Sequence, residues 1–387
     1  MSRRALTAAL AAFVASAALS PVVATARAQD EPKAAEKEKG KKGDKAKGAN
    51  KADISDTARL AKRASKANEV AARFWDQQAP LELVLTTDVK RIKGDKSDKA
   101  PWRTATLSYR GPNGDTVAVP LQIRTRGIWR LKHCKFPPLR LNFGEKEAKG
   151  TVFEGIDKPK MVSVCGNDDG SERYVLQEFQ LYRVQNALTP ASHRVRLARV
   201  TYMNTDGKPE MVRWAFLIEE PEAMAARLRG QIVEQEGARS TDLEPRASAL
   251  AGVFQYLIGN TDFSVSSLHN VELVRVGYGV HVPVPYDFDY SGAVNAWYAK
   301  PPSQLNIKSV TDRVFRGECT PVEDLTAAVS LVHSKKDEIY ALYGDPLGKL
   351  LPAGLSKETL SYFDAFFRET ADPRSVRRLA DACLGKP

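Results

Sequence analysis

The sequence predicts an α+β fold of two lobes, in which a β-rich half with one helix precedes a mostly helical half. Short alternating apolar runs separated by turn residues fill 77–143, and a single helical pattern follows at about 172–188. After Pro221 the patterns are mostly helical. Two lobes with a cleft between them would bury the apolar faces of both halves and leave room for a ligand.

The first lobe, at about 77–218, is predicted to hold most of the strands and one helix. Val175, Phe179 and Tyr182 are four and three residues apart, so they share one face of that helix. Asp206-Gly207 is typical of a tight turn and predicts that the last two strands form a hairpin. The predicted strands are Leu81–Leu85, Thr104–Tyr109, Val117–Ile123, Leu139–Phe143, 195–203 and 211–218.

The second lobe, at about 219–387, is predicted to be helical apart from one hairpin. Apolar residues at helical spacing stop at Gly259, a residue type that commonly ends helices. Two short apolar runs at 271–276 and 280–286 flank a Gly-rich turn and predict an antiparallel hairpin. The predicted helices lie at about 221–236, 245–258, 322–343, 356–369 and 373–384.

Residues 1–28 have the pattern of an export signal. Arg3-Arg4 precede an apolar stretch from Ala5 to Leu19, and Ala26-Arg27-Ala28 supplies the small residues that a signal peptidase recognises. An uncleaved membrane anchor is the alternative, but Pro21 and the short apolar run favour cleavage. The mature chain is therefore expected to be exported, to the periplasm or outside the cell, without a transmembrane helix.

Residues 29–66 are rich in Lys and Ala and predict a disordered linker. Eight of the eleven excess positive charges of the protein lie in the first 66 residues, so the predicted domain at 67–387 is nearly balanced in charge. A balanced domain argues against a nucleic-acid partner.

Four cysteines in an exported chain favour disulfide bonds. They contain no CxxC pair, and the five histidines form no clustered motif, so a zinc site is not indicated. The sequence-local choice among three pairings joins Cys134 with Cys165 and Cys319 with Cys383. Four buried thiols remain the alternative.

Polar residues gather around the hairpin of the second lobe. Asp262 follows the helix that ends at Gly259, Asn270 precedes the first strand, and Asp287 and Asp289 follow the second. Partners in an antiparallel hairpin have a constant sum of residue numbers, so Asn270 and Asp287 are predicted to face each other at its open end. Converging Asn and Asp oxygens suit a hard cation such as Mg²⁺, although single Asp residues also cap loops and turns.

The stretch 79–300 resembles the spore coat protein H (CotH) kinases, an atypical branch of the protein-kinase-like fold. The motifs that carry the resemblance are Arg126-Gly127, the basic strand 135–143, Lys158-Pro159-Lys160-Met161-Val162, Glu219-Glu220, the loop Asp262, Asn270 and Asp287-Phe288-Asp289. The resemblance implies a two-lobed protein-kinase-like fold with a kinase domain at 67–387.

The resemblance also implies a role for each matching residue. Asp262 would orient or deprotonate the substrate hydroxyl, Asn270 and Asp287 would hold Mg²⁺, and Asp289 would support a second metal or its water. In the nucleotide site, Arg140 or Lys160 would contact ATP phosphates and Glu178 on the helix would be their ion-pair partner. Glu219 would lie near the hinge between the lobes.

The expected function is Mg-ATP-dependent phosphotransfer to a protein Ser/Thr or a similar hydroxyl. The main alternative is a catalytically inactive module that acts as a structural or binding protein of the cell envelope. A hydrolase using Asp287 and Asp289 is a third reading, but neighbours two apart rarely reach the ~5–9 Å separation of independently placed glycosidase carboxylates.

Overall fold

The computed structural model describes residues 68–385, apart from Gln78, Asp98, Asn167 and Tyr278 and the side chain of Asp169. The predicted signal peptide at 1–28 and linker at 29–66 lie outside these residues. Within the described part, no helix is both long enough and apolar enough to cross a membrane.

Seven strands close into a barrel in the order β1-β2-β3-β4-β5-β7-β6. They are β1 (Leu81–Thr86), β2 (Arg103–Arg110), β3 (Thr116–Thr125), β4 (Leu139–Phe143), β5 (Lys160–Val162), β6 (Val195–Met203) and β7 (Pro209–Ile218). Every neighbouring pair is antiparallel except β1 with β6, which run parallel from Leu81↔Ala198 to Thr86↔Met203 and complete the closure.

Alternation along the strands explains how the barrel fills its interior. In β1 and β4, every second residue is buried, as expected for strands with one face toward a core. Leu85, Leu107, Val119, Leu141 and Met161 are essentially inaccessible to solvent and belong to one apolar cluster. Helix α1, at residues 68–75, adds buried aromatic side chains to the same cluster.

The remaining elements are a second sheet and ten further helices. The sheet has the order β10-β9-β8 and consists of β8 (Gly230–Val233), β9 (Val271–Val276) and β10 (Val280–Pro285). The helices are α2 (Val89–Gly94), α3 (Trp129–His133), α4 (Glu145–Ala148), α5 (Glu172–Leu188), α6 (Pro221–Arg227), α7 (Pro245–Ile258), α8 (Val322–Ser334), α9 (Lys336–Gly344), α10 (Ala353–Thr370) and α11 (Pro373–Asp381). Short 3₁₀ turns lie at Asp169–Ser171, Ser240–Asp242 and Gly348–Leu350.

Helix α5 is the central element between the barrel and the other helices. It contacts β6 and β7 on one side and α9 on another, and it is buried almost all round rather than along one stripe. Phe179 and Tyr182 pack against Phe216 of β7, and Tyr182 also contacts Phe288 after β10. The helix therefore ties the outside of the barrel to the loop that follows the hairpin.

The prediction of a two-lobed, protein-kinase-like α+β fold is wrong. Strands β1–β7 form a closed barrel of mixed strands instead of the open sheet of a separate β-lobe. Closure requires β1 to pair in parallel with β6, which is distant in the sequence. Local apolar alternation marks each strand but contains no information about this long-range pairing.

Most strands and the longer helices were predicted correctly, but the half at 77–218 was predicted with one helix and also contains the short helices α2, α3 and α4. Three further differences are informative. Helices α5 and α7 have the predicted bounds. The helix predicted at 221–236 ends at Arg227, because Arg229 adopts a left-handed conformation and the chain then enters β8. The helix predicted at 322–343 is divided at Lys335, and the three-residue β5 was not predicted.

Both predicted disulfides are confirmed. The Sγ atoms of Cys134 and Cys165 are 2.07 Å apart, and those of Cys319 and Cys383 are 1.94 Å apart. The described residues contain no free cysteine. Paired cysteines are compatible with an exported protein.

Candidate active site

The loop that carries Asp262 begins at a well-defined helix end. Gly259 caps α7 in the left-handed region at φ 64°. The Asn260 side chain donates to Gln255 Oε1 at 3.1 Å and accepts from the backbone N–H of Asp262 at 3.0 Å. Arg316 donates to the Thr261 carbonyl. These bonds fix the backbone on both sides of Asp262.

The Asp262 carboxylate contacts the two polar residues that precede β9. Its Oδ1 lies 3.0 Å from His269 Nε2, and its Oδ2 accepts from Asn270 Nδ2 at 3.1 Å. The hydrogen bond to Asp262 raises the pKa of His269, against the opposing effect of burial. Each carboxylate oxygen keeps a further acceptor position, so Asp262 still has the capacity to accept a substrate hydroxyl proton.

The β9–β10 hairpin brings Asn270 close to Asp287, although the residue opposite Asn270 is one position from the predicted one. Val271 pairs with Pro285, and the Tyr286 backbone N–H donates to the Asn270 carbonyl at 3.0 Å. Asn270 therefore faces Tyr286, and Asp287 is one residue further along. Asn270 and Asp287 both have positive φ, at 54° and 62°, a conformation that L-residues rarely adopt outside special turns.

Buried aromatic residues hold the Asp287-Phe288-Asp289 segment in place. The Asp287 backbone N–H donates to Tyr182 Oη at 2.9 Å, and Tyr298 Oη donates to Asp289 Oδ2 at 2.8 Å. Phe288 is fully buried between Tyr182 of α5 and Phe254 of α7. The two carboxylates are thus anchored by the core on either side of Phe288.

Three carboxyl groups at this position repel one another. Burial, followed by the negative charges of Asp289 and Asp287, raises the pKa of Glu178 well above its ordinary value. Burial and Asp287 raise the pKa of Asp289 to about 6. Glu178 Oε1 is buried and has no hydrogen-bond partner among the described residues. The raised pKa values favour the protonated forms of Glu178 and Asp289 over three fully ionised carboxylates.

Arg130 is the cation within this cluster. Burial lowers the pKa of Arg130, but Tyr298, Asp289, Glu178 and Asp287 outweigh burial and raise it overall. The guanidinium is held by the Ser163 carbonyl. Arg126 also acts on Glu178, and an additional cation would favour the ionised form of the cluster.

Tyr290 interacts electrostatically with the predicted metal and catalytic carboxylates. Burial raises its pKa to about 12, with further contributions from the carboxylates of Asp289, Asp262 and Asp287. All three carboxylates therefore lie close enough to one phenol to act on it electrostatically. Asn270, bonded to Asp262, belongs to the same site.

The donor set fits Mg²⁺ in its chemistry. Asn270 and Asp287 offer hard oxygen ligands, as Mg²⁺ prefers. Among the described residues, no three His, Cys, Asp or Glu side chains form a ready-made metal cluster. Mg²⁺ is commonly held by one or two carboxylates together with substrate phosphates and water, so a complete protein cage is not required.

The cationic residues Arg140 and Lys160 are cross-strand partners on β4 and β5. Lys160 Nζ lies 4.5 Å from the centre of the Tyr286 ring and 3.9 Å from Glu272 Oε1, and its side chain is 13% exposed. Burial and the neighbouring Arg126 lower the pKa of Lys160 to about 8. Arg140 lies 3.9 Å from Glu220 Oε1.

Asp287 also contributes to the pKa of Lys160, so the two groups interact electrostatically. The expected ion pair between Glu178 and Lys160 or Arg140 is not observed: among the described residues, the cations that act on Glu178 are Arg130 and Arg126. The structure places Glu178 with the carboxylate cluster and Lys160 with Glu272.

Glu219 is fully buried between two arginines. Arg194 Nη2 donates to Oε1 at 2.6 Å, and Arg227 Nη2 donates to Oε2 at 2.8 Å. These arginines hold the pKa of Glu219 below its ordinary value despite burial. Glu219 thus anchors the end of β7 to α6, away from the carboxylate cluster.

Several residues of the site were not identified from the sequence. Arg130 lies three residues after the Arg126-Gly127 turn, and this spacing is the sequence feature that could have identified it. Tyr182 was visible only as part of the apolar stripe of α5. Tyr298 lies in a segment without regular structure, where nothing in the sequence indicated a contact with Asp289.

A comparison with family models finds no match for the chain, and a search of curated proteins also finds none. The resemblance to the CotH kinases therefore stays a prediction that rests on the quoted motifs.

Proposed function

We propose that this protein is an exported phosphotransferase that uses Mg-ATP to phosphorylate a protein Ser/Thr or a similar hydroxyl. The observation that carries the proposal is the convergence of Asp262, Asn270 and Asp287 at the open end of one hairpin. The neighbouring carboxyl groups of Glu178, Asp287 and Asp289 would be ionised beside a bound cation, and the buried Lys160, on which Asp287 acts electrostatically, supports an anion such as a phosphate.

In the proposed reaction, Asp262 accepts the proton of the acceptor hydroxyl. The oxygen then bonds to the γ-phosphorus of ATP, the bond from that phosphorus to the β–γ bridging oxygen breaks, and ADP leaves with the electron pair. A Mg²⁺ held by Asn270 and Asp287 would neutralise phosphate charge. Lys160 would bind a phosphate, and His269 and Asn270 keep the Asp262 carboxylate in position.

The test is transfer of labelled phosphate from Mg-ATP by the purified chain. Asp262→Asn removes the base but keeps the size of the side chain, so we expect incorporation to fall about 10²–10⁴-fold, the usual contribution of a general base. Asp115→Asn is the matched control, because Asp115 is exposed in the β2–β3 turn far along the chain from the site. Asp115→Asn should label like the unmodified protein.

Thermal unfolding separates binding from catalysis. We expect ATP to raise the melting temperature only when Mg²⁺ is present, and Asp287→Asn to abolish that shift. Equal labelling of the unmodified protein and Asp262→Asn would contradict the catalytic assignment. Without a Mg²⁺-dependent shift, the alternative of a non-catalytic envelope-binding module would be favoured.

A further inference from the structure

A cavity of about 690 Å³ adjoins the Asp262 loop. Its lining includes Phe263, which directly follows Asp262, and Val265 two residues later, together with Leu243 and Leu384. The volume and the mostly apolar walls are typical of ligand sites in proteins. The carboxylate cluster residues do not line this cavity, so it is separate from the predicted metal site.

Arg316 is the charged residue that connects the cavity with Asp262. It lines the cavity, donates to the Thr261 carbonyl and lies 5.9 Å from the centre of the Phe263 ring. The Asp262 carboxylate acts on its pKa, which burial lowers overall. Among the described residues, no carboxylate lies within ion-pair distance of Arg316, whereas the other cavity arginine, Arg239, lies 3.9 Å from Asp242.

A half-buried arginine without an ionic partner favours a ligand that brings its own anion. The cavity carboxylate Glu318 accepts from the Ser240 hydroxyl at 2.9 Å instead of pairing with Arg316. The apolar walls require that the same ligand also present an apolar surface. Adjacent side chains of a polypeptide provide a hydroxyl, a carboxylate and an apolar group within a few ångströms of one another.

We propose that this cavity is the acceptor site and that it takes a polypeptide segment whose Ser or Thr is flanked by an acidic and an apolar residue. Arg316 pairs with the acidic side chain, and Phe263, Val265 and Leu243 contact the apolar one. This inference rests on the proposed phosphotransfer for the role of the hydroxyl, but the recognition of the acidic residue by Arg316 is independent of catalysis.

The experiment compares three fluorescent peptides that differ only beside a central Ser, where they carry Asp, Asn or Lys next to a Leu. Binding is measured by anisotropy with the full chain carrying Asp262→Asn, and phosphorylation is measured with unmodified Asp262. We expect the Asp peptide to bind at least tenfold more tightly than the Lys peptide. Arg316→Gln should remove the preference, and Arg316→Glu should reverse it toward the Lys peptide.

The reversal distinguishes recognition from a structural role, since a damaged Asp262 loop would weaken all three peptides alike. Arg377→Glu, which makes the same charge change at an exposed position of α11, is the control and should keep the preference for Asp. Peptide binding without any preference, no peptide binding, or the same order in Arg316→Glu would overturn the inference. Selective binding without Asp262-dependent labelling would instead overturn the proposed phosphotransfer and leave the peptide site standing.

Discussion

The surroundings of Lys160 disfavour its positive charge unless an anion binds beside it. Burial and Arg126 lower its pKa from the ordinary 10.5 to about 8, and Glu272 only partly offsets them at 3.9 Å. Without a ligand, the repulsion between this buried cation and Arg126 destabilises the folded protein. A bound phosphate would reduce that repulsion. Phosphate binding would therefore need the charge of Lys160, whereas the free energy of unfolding should be higher without it.

We expect Lys160→Met to stabilise the protein and to impair nucleotide binding. A lysine whose pKa is lowered to about 8 destabilises the folded state below that pH, so its removal should raise the free energy of unfolding by about 1–3 kcal/mol at pH 7. Urea unfolding measures this gain, and the Mg-ATP thermal shift should shrink at the same time.

The pH dependence gives Lys160→Met a second readout. Between pH of about 8 and 10.5 the unfolded chain binds the Lys160 proton and the folded chain does not, so stability should rise with pH in this window. Lys160→Met should lack that rise. Lys149→Met, at an exposed position after α4, should change neither stability nor nucleotide binding. Loss of stability in Lys160→Met would show that the lysine is a structural residue.

At the scale of an element, the end of α7 determines where Asp262 lies. Gly259 has φ 64°, and a Cβ on it would come within 1.9 Å of Tyr362 Oη. The Tyr362 hydroxyl is buried and has no hydrogen-bond partner among the described residues, so its contribution there is mainly packing. Only glycine therefore fits at the end of α7 without displacing Tyr362.

Gly259→Ala should lower the free energy of unfolding by about 1–2 kcal/mol through the left-handed conformation alone, and the contact with Tyr362 should add to this loss. Combining Gly259→Ala with Tyr362→Phe should recover the unfolding free energy that is lost through the contact with the hydroxyl. A double-mutant cycle measured in urea isolates this contribution. Gly94→Ala has open space around the new methyl group and should be close to neutral. Purely additive effects of the first two changes would contradict the steric explanation.

The hairpin illustrates how far local patterns lead. The apolar runs and the Gly-rich turn predicted both strands and the meeting of Asn270 with the Asp287 segment, because hairpin pairing is set by the turn. The ladder has the register that its turn sets, so Asn270 faces Tyr286, one residue before the predicted partner Asp287. The left-handed conformations of Asn270 and Asp287 lie just beyond the ladder and leave no mark in an apolar pattern.

Across the whole molecule, long-range pairing was the part that the sequence did not reveal. Strand positions, α5, α7 and both disulfides could be predicted from local pattern and spacing. The parallel β1–β6 ladder that closes the barrel, and the placement of Arg130 and Tyr298 beside Asp289, depend on contacts between distant segments. The candidate site was consequently predicted as a set of acidic residues without its cation and its phenol.

The two disulfides should stabilise the molecule to a similar extent but affect different functions. They close loops with sequence separations of 31 and 64 residues, for which restriction of the unfolded chain contributes about 4 kcal/mol each. Replacing either pair by Ala should lower the free energy of unfolding by about that amount in urea titrations. A reducing agent should destabilise each variant only through its remaining disulfide.

The functional consequences should differ because the bonds lie in different places. Cys319 lines the cavity beside Arg316, and its neighbour Glu318 pairs in a short bridge with Leu384, so loss of Cys319–Cys383 should loosen one wall of that cavity. We expect this variant to lose affinity for the Asp peptide while it keeps the Mg-ATP thermal shift.

Cys134–Cys165 joins α3 to the segment before α5, close to Arg130, and its loss should weaken the Mg-ATP shift first. Equal losses of both readouts in both variants would mean that the disulfides act only through global stability.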